Sequence, residues 1–231
     1  MVKKLCIFIF LFFVNLNSEK ITPENTVFAF DLHGVVLNIN YLEATKTILC
    51  NLKNYQALKF LLNPIIMYKF FKLVKNCYVI EKVIDDFGLQ HPAISNIKDS
   101  IINIINCQKI NSEMVETIKL LRHLGYKIYI LSNIGSKTLS EFVKKNPDFL
   151  SLFDGHFIPS QENGFAHKPH PEFYKLFREK FDLEGVKIVF VDDILENVKA
   201  AEKEKFDSIL FINNEQCIAI LGNLLPNLIR Y

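Results

Sequence analysis

Three apolar runs in this chain each end on a side chain that carries an oxygen. Val27-Phe28-Ala29-Phe30 delivers Asp31, Lys127-Ile128-Tyr129-Ile130-Leu131 delivers Ser132, and the run from Lys187 to Val191 delivers Asp192 and Asp193. Each run has strand composition, and helical spacing fills the intervals between them. Asn111 or Ser112 is placed to cap a helix with Glu113 in its first turn, an apolar face of Met114, Val115, Ile118, Leu121 and Leu124, and Gly125 as its stop. Further helices are expected over 137–145, over 172–181 and after Asp193 through Ala201, with a short apolar segment over 153–158 and a last strand over 208–212. Strands alternating with helices form a parallel sheet with right-handed crossovers, and such sheets place their sites at the carboxyl ends of strands. The expected fold is therefore α/β, a doubly wound parallel sheet that brings Asp31, Ser132 and Asp192 to one edge.

After Asp31 the chain changes character. From about Tyr41 to Cys107 there is no alternating strand pattern, and apolar residues recur at helical spacing in Leu49, Leu52 and Tyr55, then in Ile80, Val83, Ile84 and Phe87. Asn63-Pro64 marks a helix boundary, because the residue before proline is pushed away from helical angles, and Gly88 closes the preceding helix. The core is expected over 19–38 and 112–231, interrupted by a helical insertion over 39–111. Its most apolar part, 57–74, is broken by Lys59, Lys69 and Lys72. A helix lying on a membrane surface is one reading of that stretch; a core face with snorkelling lysines is the favoured one.

With 231 residues and 50% hydrophobic composition the chain buries a core and has room for a sizeable insertion. Its 27 basic and 25 acidic residues give a formal charge of +2, which excludes the electrostatic footprint of a nucleic-acid binder or a partner for acidic proteins. Lys3 and Lys4 precede an apolar run from Leu5 to Val14, followed by polar Asn15, Asn17, Ser18, Glu19 and Lys20, the order of a secretory signal peptide. The run falls short of the about 20 residues that span a bilayer. No Ala-x-Ala-like cleavage site is present, and Leu16 with Ser18 is the nearest approach. Residues 1–18 are therefore read as a signal peptide that exports the protein to the periplasm or beyond, with an uncleaved membrane anchor or a buried first strand as the alternatives. No other membrane contact is expected. Cys6 falls in this leader; Cys50, Cys77, Cys107 and Cys217 show no CxxC spacing, so buried free thiols are expected in place of a zinc site or redox pair.

Four groups of residues together resemble the ordered motifs of the haloacid dehalogenase superfamily. They are Phe28-Ala29-Phe30-Asp31 with Gly34, Ile130-Leu131-Ser132-Asn133, Lys168-Pro169-His170-Pro171-Glu172, and Phe190-Val191-Asp192-Asp193 with Asn197. Phe153-Asp154-Gly155, Ser160 and Gly164 resemble the usual run into the third motif, and the insertion sits where the family carries a helical cap over its site. The resemblance implies that Asp31 attacks phosphorus to form an aspartyl phosphate, that Ser132 and Asn133 bind phosphoryl oxygens, and that Lys168 sets a positive charge beside them. It also implies Mg²⁺, held by Asp31, Asp192 and the backbone carbonyl of His33, with Asp193 on a metal-bound water. Taken singly, Ser132 also reads as a helix cap and Lys168 as a surface lysine. Adjacent Asp192 and Asp193 repel each other and imply a metal or a lysine. Lys205 departs from the pattern, since relatives often have glycine after the last helix of the match.

The larger departure is His33, where phosphatases of this superfamily usually carry a second Asp that protonates the leaving group and then activates water. Imidazole is able to do the same acid and base work. A His-x-x-His metal site of His167 and His170 with His33 is disfavoured by the proline-rich loop between them. The expected function is a Mg²⁺-dependent phosphatase of a small phosphorylated molecule, with Asp31 and His33 catalytic. A non-catalytic phospho-ligand binder and a metal-independent dehalogenase-type hydrolase are the alternatives.

Overall fold

A computed structural model describes residues 21–40 and 107–225, with single positions at 46, 65 and 89. The leader at 1–18 and nearly all of the insertion, including its boundary at Asn63-Pro64 and the stop at Gly88, lie outside the described residues.

The central strand is β1 (Thr26–Phe30), every residue of which is buried. It is followed by β2 (Leu37–Ile39), β3 (Gln108–Ile110), α1 (Ser112–His123), β4 (Lys127–Leu131), α2 (Ser136–Lys145), β5 (Gly155–Phe157), α3 (Pro171–Lys180), β6 (Lys187–Asp192), α4 (Leu195–Lys203), β7 (Asp207–Leu210) and α5 (Asn214–Leu224). Five strands form one sheet in the order β5-β4-β1-β6-β7, and every pairing in it is parallel. Ala29 of β1 is in register with Tyr129 on one side and Phe190 on the other.

Alternation along each strand sends side chains to both faces, and both are covered. Phe28, Phe30, Ile128, Ile130, Val189 and Val191 pack with Met114, Ile118 and Leu121 of α1, Leu139 and Phe142 of α2 and Leu221 of α5. Val27, Ala29, Tyr129, Leu131, Ile188 and Phe190 pack on the other face with Phe173, Tyr174 and Phe177 of α3 and Ala201 of α4. Each fully buried phenylalanine contributes about 1.5–3 kcal/mol, which makes this two-sided core the term that fixes the sheet.

The expected doubly wound parallel sheet is what forms, with small differences at element ends. The last strand is Asp207–Leu210, ending before Ile212. Phe211 N–H still donates to Asp192 O at 2.9 Å, but Ile212 N–H turns to Gln216 Oε1 at 3.3 Å and leads into α5. Helix α5 itself and the ribbon β2–β3 were not expected. The ribbon is antiparallel, with Leu37 opposite Ile110 and Ile39 opposite Gln108, so the chain enters and leaves the insertion through paired strands. Cys107 and Cys217 are both buried, and Cys217 is a free thiol, as expected. Among the described residues no helix is long and apolar enough to cross a membrane.

Candidate active site

Backbone bonds carry the sheet one residue past its strands and set the reactive groups on its carboxyl edge. Asp31 N–H donates to Val191 O at 2.9 Å beyond the end of β1, and Ser132 N–H donates to Phe157 O at 3.1 Å beyond β4. Asp192 is the last residue of β6. Asp31, Ser132 and Asp192 are all buried.

Lys168 arrives from the loop between β5 and α3. Asn133 fastens its backbone from both sides: Lys168 N–H donates to Asn133 Oδ1 at 2.8 Å, and Asn133 Nδ2 donates to Lys168 O at 2.9 Å. The ammonium Nζ then lies 3.0 Å from Asp31 Oδ1, 2.6 Å from Asp192 Oδ2 and 2.9 Å from Leu131 O. An ammonium has three donors, and these three acceptors satisfy it. Burial works against its charge, but Asp192 and Asp31 outweigh burial and lift the pKa above the ordinary lysine value.

Asp192 is saturated with donors. Its Oδ1 accepts from Ile194 N–H at 2.8 Å and Asn197 Nδ2 at 3.1 Å, and its Oδ2 accepts from Asn197 Nδ2 at 3.1 Å as well as from Lys168. Burial raises its pKa, Lys168 opposes that, and Asp31 adds to it. Asp193 is exposed as a residue, yet its carboxyl is pushed up to about 6, first by partial burial of the head group and then by Asp31 and Asp192. That head lies against Gly34: a Cβ on Gly34 would come within 2.6 Å of Asp193 Cγ. Gly34 also has φ +82°, a conformation that L side chains rarely adopt.

One carboxylate oxygen each of Asp31, Asp192 and Asp193 lies within 4.8 Å of the other two. Three carboxylates face one ammonium, so the site carries an excess of negative charge on hard oxygen donors, the set that suits Mg²⁺. The residues present fit that ion. The ring of His33 is not part of this cluster, nor are those of His167 and His170, which meet edge to face with centroids 4.4 Å apart. His33 is partly buried; its Nε2 is buried and has no hydrogen-bond partner. Burial lowers its pKa, with Asp31 opposing and Lys168 reinforcing the shift.

The predicted residues thus converge, with refinements. The Asn133 side chain is taken up by the backbone of Lys168 and is not free to bind a ligand. Ser132 Oγ accepts from Ile134 N–H at 3.3 Å and so caps the following turn, and the hydroxyl proton is left over for a ligand. Asn197 holds both oxygens of Asp192 through its Nδ2, and Tyr174 O–H in turn donates to Asn197 O at 2.9 Å. The Leu131 carbonyl was not anticipated, because a main-chain acceptor leaves no mark in a sequence.

A haloacid dehalogenase-like hydrolase family model matches residues 26–203. A sesquiterpene phosphatase of Aspergillus oryzae is 29% identical over 108 residues, 47% of this chain and 54% of that protein, so the match spans about half the relative's length. Among solved structures, L-2-haloacid dehalogenase of Xanthobacter autotrophicus superposes with a TM-score of 0.57 at 16% identity, over 90% of this chain and 86% of that one. The magnesium-bound hydrolase YfnB of Bacillus subtilis superposes with a TM-score of 0.59 at 13% identity, over 80% and 87%. A phosphatase of Thermococcus onnurineus gives 0.53 at 19%, over 79% and 84%. These structures share the fold.

Proposed function

The chain belongs to the haloacid dehalogenase-like hydrolases, and from that premise we propose that it is a Mg²⁺-dependent phosphatase of a small phosphorylated metabolite, working through an aspartyl phosphate on Asp31. Three carboxylates crowded around the single ammonium of Lys168 carry this assignment. A metal-free nucleophile needs a cation beside it but has no use for Asp193 within 4.8 Å. The sesquiterpene phosphatase relative supports a phosphomonoester as the substrate class.

Held by Asp31, the His33 carbonyl and Asp193, with Asp192 kept beside them by Lys168, Ile194 and Asn197, Mg²⁺ would neutralise charge on the phosphoryl group. The chain's own groups do the rest. Leu32 N–H and Lys168 both bond to Asp31 Oδ1, at 2.7 and 3.0 Å, leaving Oδ2 as the attacking atom. The Ser132 hydroxyl and the Asn133 N–H receive the phosphoryl oxygens, and Lys168, its donors spent on Asp31, Asp192 and Leu131 O, sets its positive charge beside them. As Oδ2 bonds to phosphorus, the bond to the leaving oxygen breaks and His33 supplies the proton that oxygen needs. Water then attacks the aspartyl phosphate, its proton returns to His33, and the Asp31–phosphorus bond breaks to release inorganic phosphate. The unpartnered Nε2 of His33 supports this role, since a buried polar atom lacks its partner until a ligand arrives.

The test is hydrolysis of p-nitrophenyl phosphate by the full chain, with Mg²⁺ or with chelator, beside Asp31→Asn. Turnover should require Mg²⁺ and fall about 10³-fold or more without the nucleophile. Turnover retained by Asp31→Asn would sink the mechanism. Activity indifferent to chelator yet lost in Asp31→Asn would replace it with a metal-independent hydrolase, and binding of phosphate esters without turnover would make the protein a phospho-ligand binder.

A further inference from the structure

The loop that carries Asp31, His33 and Gly34 is braced from behind by an asparagine far away in sequence. Within the loop, Val35, Val36 and Leu37 N–H groups all converge on Leu32 O, at 3.3, 3.0 and 2.7 Å, and Gly34 N–H donates to Leu37 O at 2.8 Å. Its carbonyls point the other way, to Asn111. Asn111 N–H donates to Val36 O at 2.8 Å, and Asn111 Nδ2 donates to Val35 O at 2.8 Å.

Asn111 occupies the N-cap position of α1, where an asparagine side chain ordinarily accepts a bond from its own helix, yet it makes no such bond. The buried amide is committed elsewhere. Its second Nδ2 hydrogen goes to Asn214 Oδ1 at 2.7 Å, and Asn214 Nδ2 returns a bond to Asn111 Oδ1 at 3.0 Å. The two amides form a closed pair at the starts of α1 and α5. That pair alone would tolerate both amides flipped together, but Val35 O demands a donor and so fixes which way Asn111 faces.

We propose that Asn111 is a positioning residue for the proposed phosphatase site: locked by Asn214, it holds the Val35 carbonyl so that His33 and Gly34 keep their places against Asp31 and Asp193. Val35 adjoins Gly34, whose backbone lies on the Asp193 carboxylate, so movement at Val35 is passed to the carboxylate cluster. The kinetic consequence rests on the phosphatase assignment; the brace itself does not.

Two measurements on the full-length protein separate them. The first is amide hydrogen exchange across residues 32–37 in wild type, Asn111→Ala and Asn111→Asp, the last preserving size while removing both side-chain donors. Exchange there should rise about tenfold while β4 and β6 stay protected. The second is kcat and KM for p-nitrophenyl phosphate with the concentration of Mg²⁺ giving half activity. Here kcat should fall about tenfold or more, since small misplacements of reacting groups are costly, with the Mg²⁺ requirement raised and KM changed much less. Asn214→Ala, which keeps the Val35 bond and loses only the lock, should fall between wild type and Asn111→Ala; it also serves if the Asn111 variants do not fold. Unchanged exchange over 32–37 in a folded Asn111 variant overturns the proposal, as does raised exchange with an unaltered kcat in an active enzyme. Wild type that turns nothing over while exchange responds refutes the phosphatase assignment and leaves the brace standing.

Discussion

Gly34 is where backbone conformation and site electrostatics meet. Its φ of +82° and the Asp193 carboxylate lying where a Cβ would go are independent reasons for glycine. Gly34→Ala meets both: the left-handed conformation costs a non-glycine residue about 1–2 kcal/mol, and Asp193 must move away as well. Urea unfolding should show that loss, and calorimetric titration of the folded variant with Mg²⁺ should show affinity reduced further than a distant substitution of equal destabilisation reduces it. Undiminished Mg²⁺ affinity would break the link between Gly34 and the metal-binding carboxylates. At this scale the sequence is legible where a residue terminates an apolar run, as Asp31, Ser132 and Asp192 do. Lys168 was legible only through its motif. Asn133, Asn111 and Leu131 were not legible in their structural roles, because each acts on or through main-chain atoms.

Helix α4 shows how an element's end can be strained by one side chain. Glu204 and Lys205 N–H groups bond back to Ala201 O and Glu202 O, both at 3.0 Å, and Phe206 N–H bonds to Ala201 O at 3.0 Å. Lys205 closes that turn at φ +62°, the left-handed position that usually belongs to glycine. The turn cannot relax, because Phe206 is buried against Tyr174, Phe177 and Phe190. Lys205→Gly should stabilise the protein by up to about 1 kcal/mol, a rise of about 2–4 °C in Tm for a chain of this size. An unchanged or lower Tm would mean that the flexibility glycine adds to the unfolded chain cancels the relief. The strands and α1 to α4 were readable because their apolar periodicity is local. The ribbon was not: Leu37-Asn38-Ile39 and Gln108-Lys109-Ile110 are too short for a pattern, and only their pairing across the insertion makes them strands.

The whole molecule holds its protons on one side of the pH scale through buried groups in both core layers. Cys217 of α5 is fully buried in the core, and burial pushes its thiol up to about 12. Burial likewise raises Tyr174, whose ring lies in the opposite core layer, with Asp192 and Asp31 adding to the shift. In the unfolded chain a thiol ionises near about 8.5 and a phenol near about 10. Between those values and the folded ones the unfolded state holds fewer protons than the folded state, so stability is full below about 8.5 and falls as pH rises, by up to about 1.4 kcal/mol per unit for each such group. Cys217→Ala removes the thiol's share. It leaves a small cavity and so lowers Tm at pH 7, but its Tm should then fall less steeply above about pH 8.5, narrowing the gap to wild type as pH rises. Thermal unfolding of both proteins from pH 7 to 10 reads this directly. A gap that stays constant across the range would mean that the Cys217 thiol is as free to ionise in the fold as in the unfolded chain, and the alkaline loss would then have to come from the tyrosines.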